Sequence, residues 1–203
     1  MEATKSIITG MSSSSSYHVL PFLLSLLLFM SSIPISLAST TPTDTYTNYL
    51  ITACNSTTYP KLCYKSLSPY TSTIKTNDRK LCVTALKVTL QAATNSSSIV
   101  KSVSKQKGLS KTEVNTIKDC LDEVGDCISE IKQCIRALSK ANSSDSVEDF
   151  KTWASAALTD ETTCTDEFVD VKVSAAVKSK ITTNVINLSR LTSNALALLN
   201  RLN

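Results

Sequence analysis

The chain has 203 residues with 21 Lys and Arg against 17 Asp and Glu, a formal net charge of +4, and it carries 7 Cys, 3 Gly and one His. That histidine, His18, borders an apolar run from Val19 to Met30 that is too short to span a bilayer but fits the apolar stretch of a secretory signal. Removing such a signal removes every histidine, which excludes Ser-His-Asp and Cys-His catalysis, a histidine-ligated zinc or haem and a histidine general base.

Ser36-Leu37-Ala38 places small residues where a signal peptidase reads, so residues 1–38 are expected to be removed after Ala38, with Met11 as an alternative start. The mature chain keeps two glycines, Gly108 and Gly125, too few for a glycine-rich phosphate loop. Carboxylate-only catalysis of the glycosidase kind survives these cuts. One tryptophan, Trp153, and two phenylalanines, Phe150 and Phe168, offer little aromatic platform for a sugar substrate, so no enzyme, no cofactor and no metal is expected. Once the signal is gone no membrane segment is expected, and nucleic acid is a poor partner for a secreted chain with acidic helices.

The segment from Ser39 to Asp78 contains Pro42, Pro60 and Pro69 and no long apolar stripe, so short helices and loops are expected. Cys54 and Cys63 flank a Pro-containing turn, and in an oxidising compartment they close a local disulfide; the alternative is two buried thiols. Two glycines cannot serve the many positive-φ turns of an all-β domain, so the remainder should be helical.

Four stripes follow. Val83, Leu86, Leu90, Ala93, Ser97 and Val100 form the first, with Asn95-Ser96-Ser97-Ser98 expected to bend or loosen it. After Lys107-Gly108-Leu109-Ser110, where Ser110 and Glu113 form a capping box, comes the clearest: Val114, Ile117, Leu121, Val124, Ile128, Ile131, Ile135 and Leu138, in alternating steps of three and four. Phe150, Trp153, Ala154, Ala157 and Leu158 make a short third beyond the Asn142–Asp145 turn. Val177, Ile181, Asn184, Leu188, Leu191, Ala195, Leu198 and Leu202 make a long fourth. Short connections force antiparallel neighbours, so the fold class is all-α: an up-down-up-down four-helix bundle.

In such a bundle residues equally far from a turn lie at one height. Cys120 and Cys164 are level about the turn near residue 142 and can pair; Cys82 and Cys134 are level about Gly108, so a third bridge is geometrically open. Cys120, Cys127 and Cys134 stand about 10.5 Å apart in steps along one helix and cannot pair with one another. Seven is odd, and Cys127 is the residue left over, either buried or available to a second chain.

Cys54-Asn-Ser-Thr-Thr-Tyr59-Pro60-Lys-Leu-Cys63 resembles the opening of the plant invertase and pectin methylesterase inhibitor family. So do Asp119-Cys120-Leu-Asp122-Glu123-Val-Gly-Asp126, the run from Trp153 through Cys164 to Phe168, and Leu191-Thr-Ser-Asn194-Ala-Leu-Ala-Leu-Leu199. The similarity extends over residues 46–203. It implies a small secreted protein in which, beyond the signal read at 1–38, an N-terminal helical hairpin at 39–78 and a four-helix bundle at 79–203 form one inhibitor domain. It also implies the bridges Cys54–Cys63 and Cys120–Cys164, and leaves Cys82, Cys127 and Cys134 outside the shared pattern. Glu148 to Leu158 is similar to the pectin methylesterase inhibitors, whereas the invertase inhibitors carry a Pro-Lys-Phe segment there. The resemblance therefore implies a secreted protein of the cell wall that blocks the pectin-binding cleft of a pectin methylesterase in a stoichiometric complex, with acid invertase as the alternative partner.

Residues 119–170 hold 13 acidic and 4 basic side chains, while the rest of the mature chain holds 16 basic and 3 acidic, so the small net charge conceals a dipole. An acidic face suits a cleft that attracts polyanionic pectin. Asp122 and Asp126, four apart on one helix, and Thr163, beside Cys164, match family positions that face the enzyme; a third acidic position falls on Ser129. The basic remainder, including Lys101, Lys105, Lys107, Lys111 and Lys118, offers a weak pectin contact or simply a solvated surface. Sequons at Asn142, Asn55, Asn95 and Asn187 are glycan candidates, with Asn187 adjoining core Leu188. A different class, a helical carrier of lipid or another apolar ligand, is opposed by narrow Leu, Ile and Val stripes that suggest a filled core.

Overall fold

A computed structural model describes residues 41–140 and 146–202. The expected signal and Asn142 lie outside the described residues. Helix α1 spans Pro42–Asn55 and α2 spans Pro60–Leu67; a short helical turn, Thr71–Ile74, leads into α3, Asp78–Ser104. Three further helices follow: α4, Lys111–Ser139, α5, Val147–Asp166, and α6, Ala175–Leu199.

Local chemistry sets the starts. Pro42 and Pro60 occupy first-turn positions, where a missing N–H costs nothing. Thr41 with Asp44, Ser110 with Glu113 and Ser146 with Asp149 form reciprocal capping boxes, and the Asn77 side chain accepts from the Lys80 N–H. Between α3 and α4 the chain reverses at Gly108, whose φ of +83° favours glycine. Glu113 acts beyond its own helix: its second oxygen accepts the Ser174 N–H at 3.0 Å, tying the start of α6 to that of α4. These backbone donors at Ser110 and Ser174 hold its carboxyl down at about 2.

Each of α3, α4, α5 and α6 packs on the next, and α6 returns to α3, which closes the ring of a four-helix bundle. The core forms two clusters bridged by Ile128. One, toward the N-terminal segment, includes Leu50, Leu67, Ile74 and Leu86, so that segment shares the interior of the bundle; the other contains Cys120, Cys164, Phe168 and Ile181.

Several inward faces differ from the sequence reading. Helix α4 buries Ile117, Cys120, Val124, Cys127, Ile131, Cys134 and Leu138, while Val114 is 47 % exposed and Leu121, Ile128 and Ile135 are half-buried. The seam is rotated because cysteine, a small apolar side chain here, takes every seventh position. Helix α3 runs unbroken through Asn95–Ser98. There Thr94 and Ser98 hydroxyls donate back to the carbonyls of Leu90 and Thr94, and the buried residue is Ser96, with Ser97 half-buried. On α6 Val185 and Thr192 are buried where Asn184 and Leu191 were expected, and on α5 Trp153 and Leu158 are only half-buried.

The disulfides are Cys54–Cys63, with Cα atoms 5.5 Å apart, and Cys120–Cys164, at 4.3 Å. No third bridge forms: Cys82 and Cys134 are buried free thiols. Equal height does not aim two sulfurs at each other; the Cys82 thiol donates to the Leu198 carbonyl at 3.3 Å and that of Cys134 to the Phe150 carbonyl at 3.5 Å. Burial pushes both thiols up to about 12, which suppresses thiolate chemistry.

Candidate functional site

Helices α4 and α5 run antiparallel and are locked by Cys120–Cys164. Because the α4 seam fixes Val124 and Cys127 inward, Asp122 and Asp126 are exposed one turn apart on the outer side. Thr163 is also exposed, next to the buried Cys164, and its hydroxyl donates to the Thr159 carbonyl at 3.0 Å. Among the described residues no hydrogen bond joins Thr163 to either aspartate.

Between the helices the acids crowd. Burial, followed by the charges of Asp160, Asp126, Asp119 and Asp122, raises the Glu123 carboxyl. Burial raises Glu167 to about 7, helped by Asp119 and Glu123. Glu130 of α4 and Asp160 of α5 are neighbouring carboxyls: burial, followed by the adjacent Asp160 carboxyl, lifts Glu130 to about 7, and burial raises Asp160 as well. One oxygen of each is buried without a partner, and protonation of one carboxyl relieves the repulsion between them.

Glu161, counted with the acidic face from sequence, is instead 0 % exposed. It lies at the junction of the two core clusters, between Ala157 and Cys164 on α5, and accepts the Thr192 hydroxyl at 2.5 Å and the Cys127 thiol at 3.2 Å. Burial lifts it to about 7. A signal for this was present, since Phe150, Ala154 and Ala157 continue in the same rhythm to positions 161 and 164. Cys127 is thus a buried thiol, raised by burial and by the neighbouring Glu161.

The sequons divide as well. Asn55, Asn95 and Asn187 are exposed, so Asn187 is accessible despite its core neighbour Leu188, while the hydroxyl of Thr57 in the Asn55 sequon is buried and donates to the Cys54 carbonyl at 2.7 Å. Lys101, Lys105, Lys107, Lys111 and Lys118 are all exposed. No described helix is long and apolar enough to cross a membrane, and among the described residues no group of His, Cys, Asp and Glu is arranged to hold a metal.

The outer side of α4 and α5 is thus an acidic surface braced by Cys120–Cys164. A family model described as plant invertase/pectin methylesterase inhibitor matches residues 48–198. Pectinesterase inhibitor 4 of Arabidopsis thaliana is 44 % identical over 185 residues, covering 87 % of this chain and 93 % of that one. Pectinesterase inhibitor 10 of the same plant is 44 % identical over 169 residues, covering 80 % of this chain, which spans only 54 % of that relative's length. In fold, a crystal structure of a mutant form of a pectin methylesterase inhibitor from Arabidopsis superposes with a TM-score of 0.61 at 24 % identity, covering 74 % of this chain and 95 % of that one. With a helical bundle among the described residues, the bridges Cys54–Cys63 and Cys120–Cys164, and a family match over about three quarters of its length, the chain belongs to the plant invertase/pectin methylesterase inhibitor family.

Proposed function

We propose that the protein is a secreted, non-enzymatic inhibitor of pectin methylesterase in the plant cell wall. It forms a stoichiometric complex in which the outer face of α4 and α5 lies across the pectin-binding cleft. The observation that carries this reading is the exposed pair Asp122 and Asp126 on the acidic half of the bundle, with Thr163 as a neighbouring helix's contribution. A cleft built to attract a polyanion presents positive potential, and an acidic face competes for it. The two relatives at 44 % identity are pectinesterase inhibitors by name, which supports the esterase over acid invertase. In this reading residues 1–38 are the secretory signal, the exposed sequons are open to glycosylation, and the lysines around Gly108 add at most a weak contact with pectin.

The test is a titration of the oxidised, signal-free protein against a plant pectin methylesterase, with a plant acid invertase in parallel. Methanol release should fall to a plateau near one-to-one stoichiometry while sucrose cleavage is untouched. Loss of invertase activity alone would transfer the reading to the alternative partner.

A further inference from the structure

The side of α3 that faces the N-terminal segment has no part in the inhibitor reading. Two contiguous depressions run along it, of about 310 and 490 Å³, sharing Thr73, Thr84 and Lys87. Positions 80, 83, 84, 87, 88 and 91 recur in steps of three and four, so they form one helix face; the opposite wall of the larger depression comes from Ser66 to Thr73, and that of the smaller from Thr73 with Leu138 and Ser139 of α4.

Three cations line the groove, Arg79, Lys80 and Lys87, and no carboxylate does. Asp78, adjacent in sequence, is spent elsewhere: it takes the Arg201 guanidinium at 2.9 Å and the Tyr49 hydroxyl at 2.6 Å. Arg79 is anchored at one end by donating to the Lys140 carbonyl at 3.1 Å. Lys80 and Lys87 stand two turns apart, about 10.5 Å along the axis. Between and beside the charges lie hydroxyl and amide groups, Thr73 and Gln91 among them, and at the far end the Tyr70 ring is 43 % exposed.

Spaced ammonium groups, hydroxyls and a single aromatic face match a linear sugar chain bearing carboxylates: charge pairs with Lys, and the C–H face of a ring stacks on Tyr70. One ring gives no series of platforms for successive bases, which disfavours a nucleic acid. We propose that this groove binds an oligosaccharide of uronic acids, at a site separate from the face carrying Asp122, Asp126 and Thr163. The choice of sugar rests on the inhibitor reading, in which the protein works among polyuronates.

The experiment is calorimetric titration of the oxidised mature protein with an unesterified oligogalacturonide, its fully methyl-esterified form, a neutral cello-oligosaccharide and a single-stranded oligonucleotide of matched charge. Saturable one-to-one binding is expected for the unesterified oligomer alone. Lys80→Gln with Lys87→Gln should weaken it about tenfold and Tyr70→Ala several-fold, while Lys101→Gln with Lys105→Gln, the same charge change at the other end of α3, should leave it within about twofold. Equal losses in the two lysine pairs would show diffuse attraction and overturn the site, as would equally tight binding of the esterified oligomer or the oligonucleotide. All these residues are exposed, and Tyr70→Ala gives a charge-neutral second variant. Esterase inhibition, measured on the same samples, should survive in the groove variants; its absence with uronide binding intact would count against the inhibitor reading and leave the groove standing.

Discussion

Glu161 sits fully buried between two apolar clusters, accepts the Thr192 hydroxyl and the Cys127 thiol, and leaves its second oxygen without a protein partner. Its carboxyl titrates at about 7 in the fold against an ordinary 4.5, so folding favours the protonated form. Its contribution to stability is therefore complete below about pH 4.5 and is lost as pH rises through about 7, a decrement of about 3 kcal/mol. Glu130 and Glu167 shift the same way but are partly exposed, and water screens their share. Asp160 of the same helix adds like charge, and the free Cys127 thiol faces the carboxyl from α4. Urea unfolding at pH 5 and pH 8 should show the protein weaker at pH 8, and Glu161→Gln should remove about 2.5 kcal/mol of that difference, the rest of the decrement falling below pH 5. An undiminished difference in the variant would place the titrating group elsewhere. Sequence alone puts Glu161 on the surface because a lone carboxylate is a poor core residue; its protonation is a property of the packed state, which no spacing encodes.

The four bundle helices are legible from their stripes, but the facing of each helix is only partly so. On α4 the reading follows the bulky residues and misses that Cys120, Cys127 and Cys134 complete the inner seam. On α3 it places Leu86, Ala93 and Val100 correctly but takes Val83, Leu90 and Ser97 for inner residues, whereas Thr89 and Ser96 face inward, where small side chains let neighbouring helices close. Propensity argues for a break at Asn95–Ser98, and tertiary packing overrides it. The bridges differ in what they restrain. Cys54–Cys63 closes a separation of 9 residues and Cys120–Cys164 one of 44, so the chain-entropy model gives about 2.5 and about 4 kcal/mol respectively. Paired Cys→Ala variants at each bridge, compared by urea unfolding, should lose stability in that order. The reverse order would show that the hairpin bridge stabilises mainly by holding the N-terminal segment on the shared core.

Across the whole molecule the charge is divided: residues 119–170 are strongly acidic and the remainder basic. The structure refines this map. Glu161 is inside, and Glu130 and Glu167 are raised to about 7, so below that pH the field of the α4 and α5 face comes chiefly from its exposed aspartates. Asp122 and Asp126 were readable as a pair because a four-residue step on a helix keeps one side. The carboxyl seam behind them was not, since it depends on α5 meeting α4. Long-range attraction of such a face accelerates encounter more than it deepens affinity, and salt screens it. The most direct measurement is the association rate of the mature protein with a pectin methylesterase across ionic strength, beside Asp122→Ala with Asp126→Ala. The account predicts a wild-type rate that falls steeply with salt and a double variant that is about tenfold slower at low salt with a flatter dependence; equal rates and equal slopes would contradict it and remove this face from the complex.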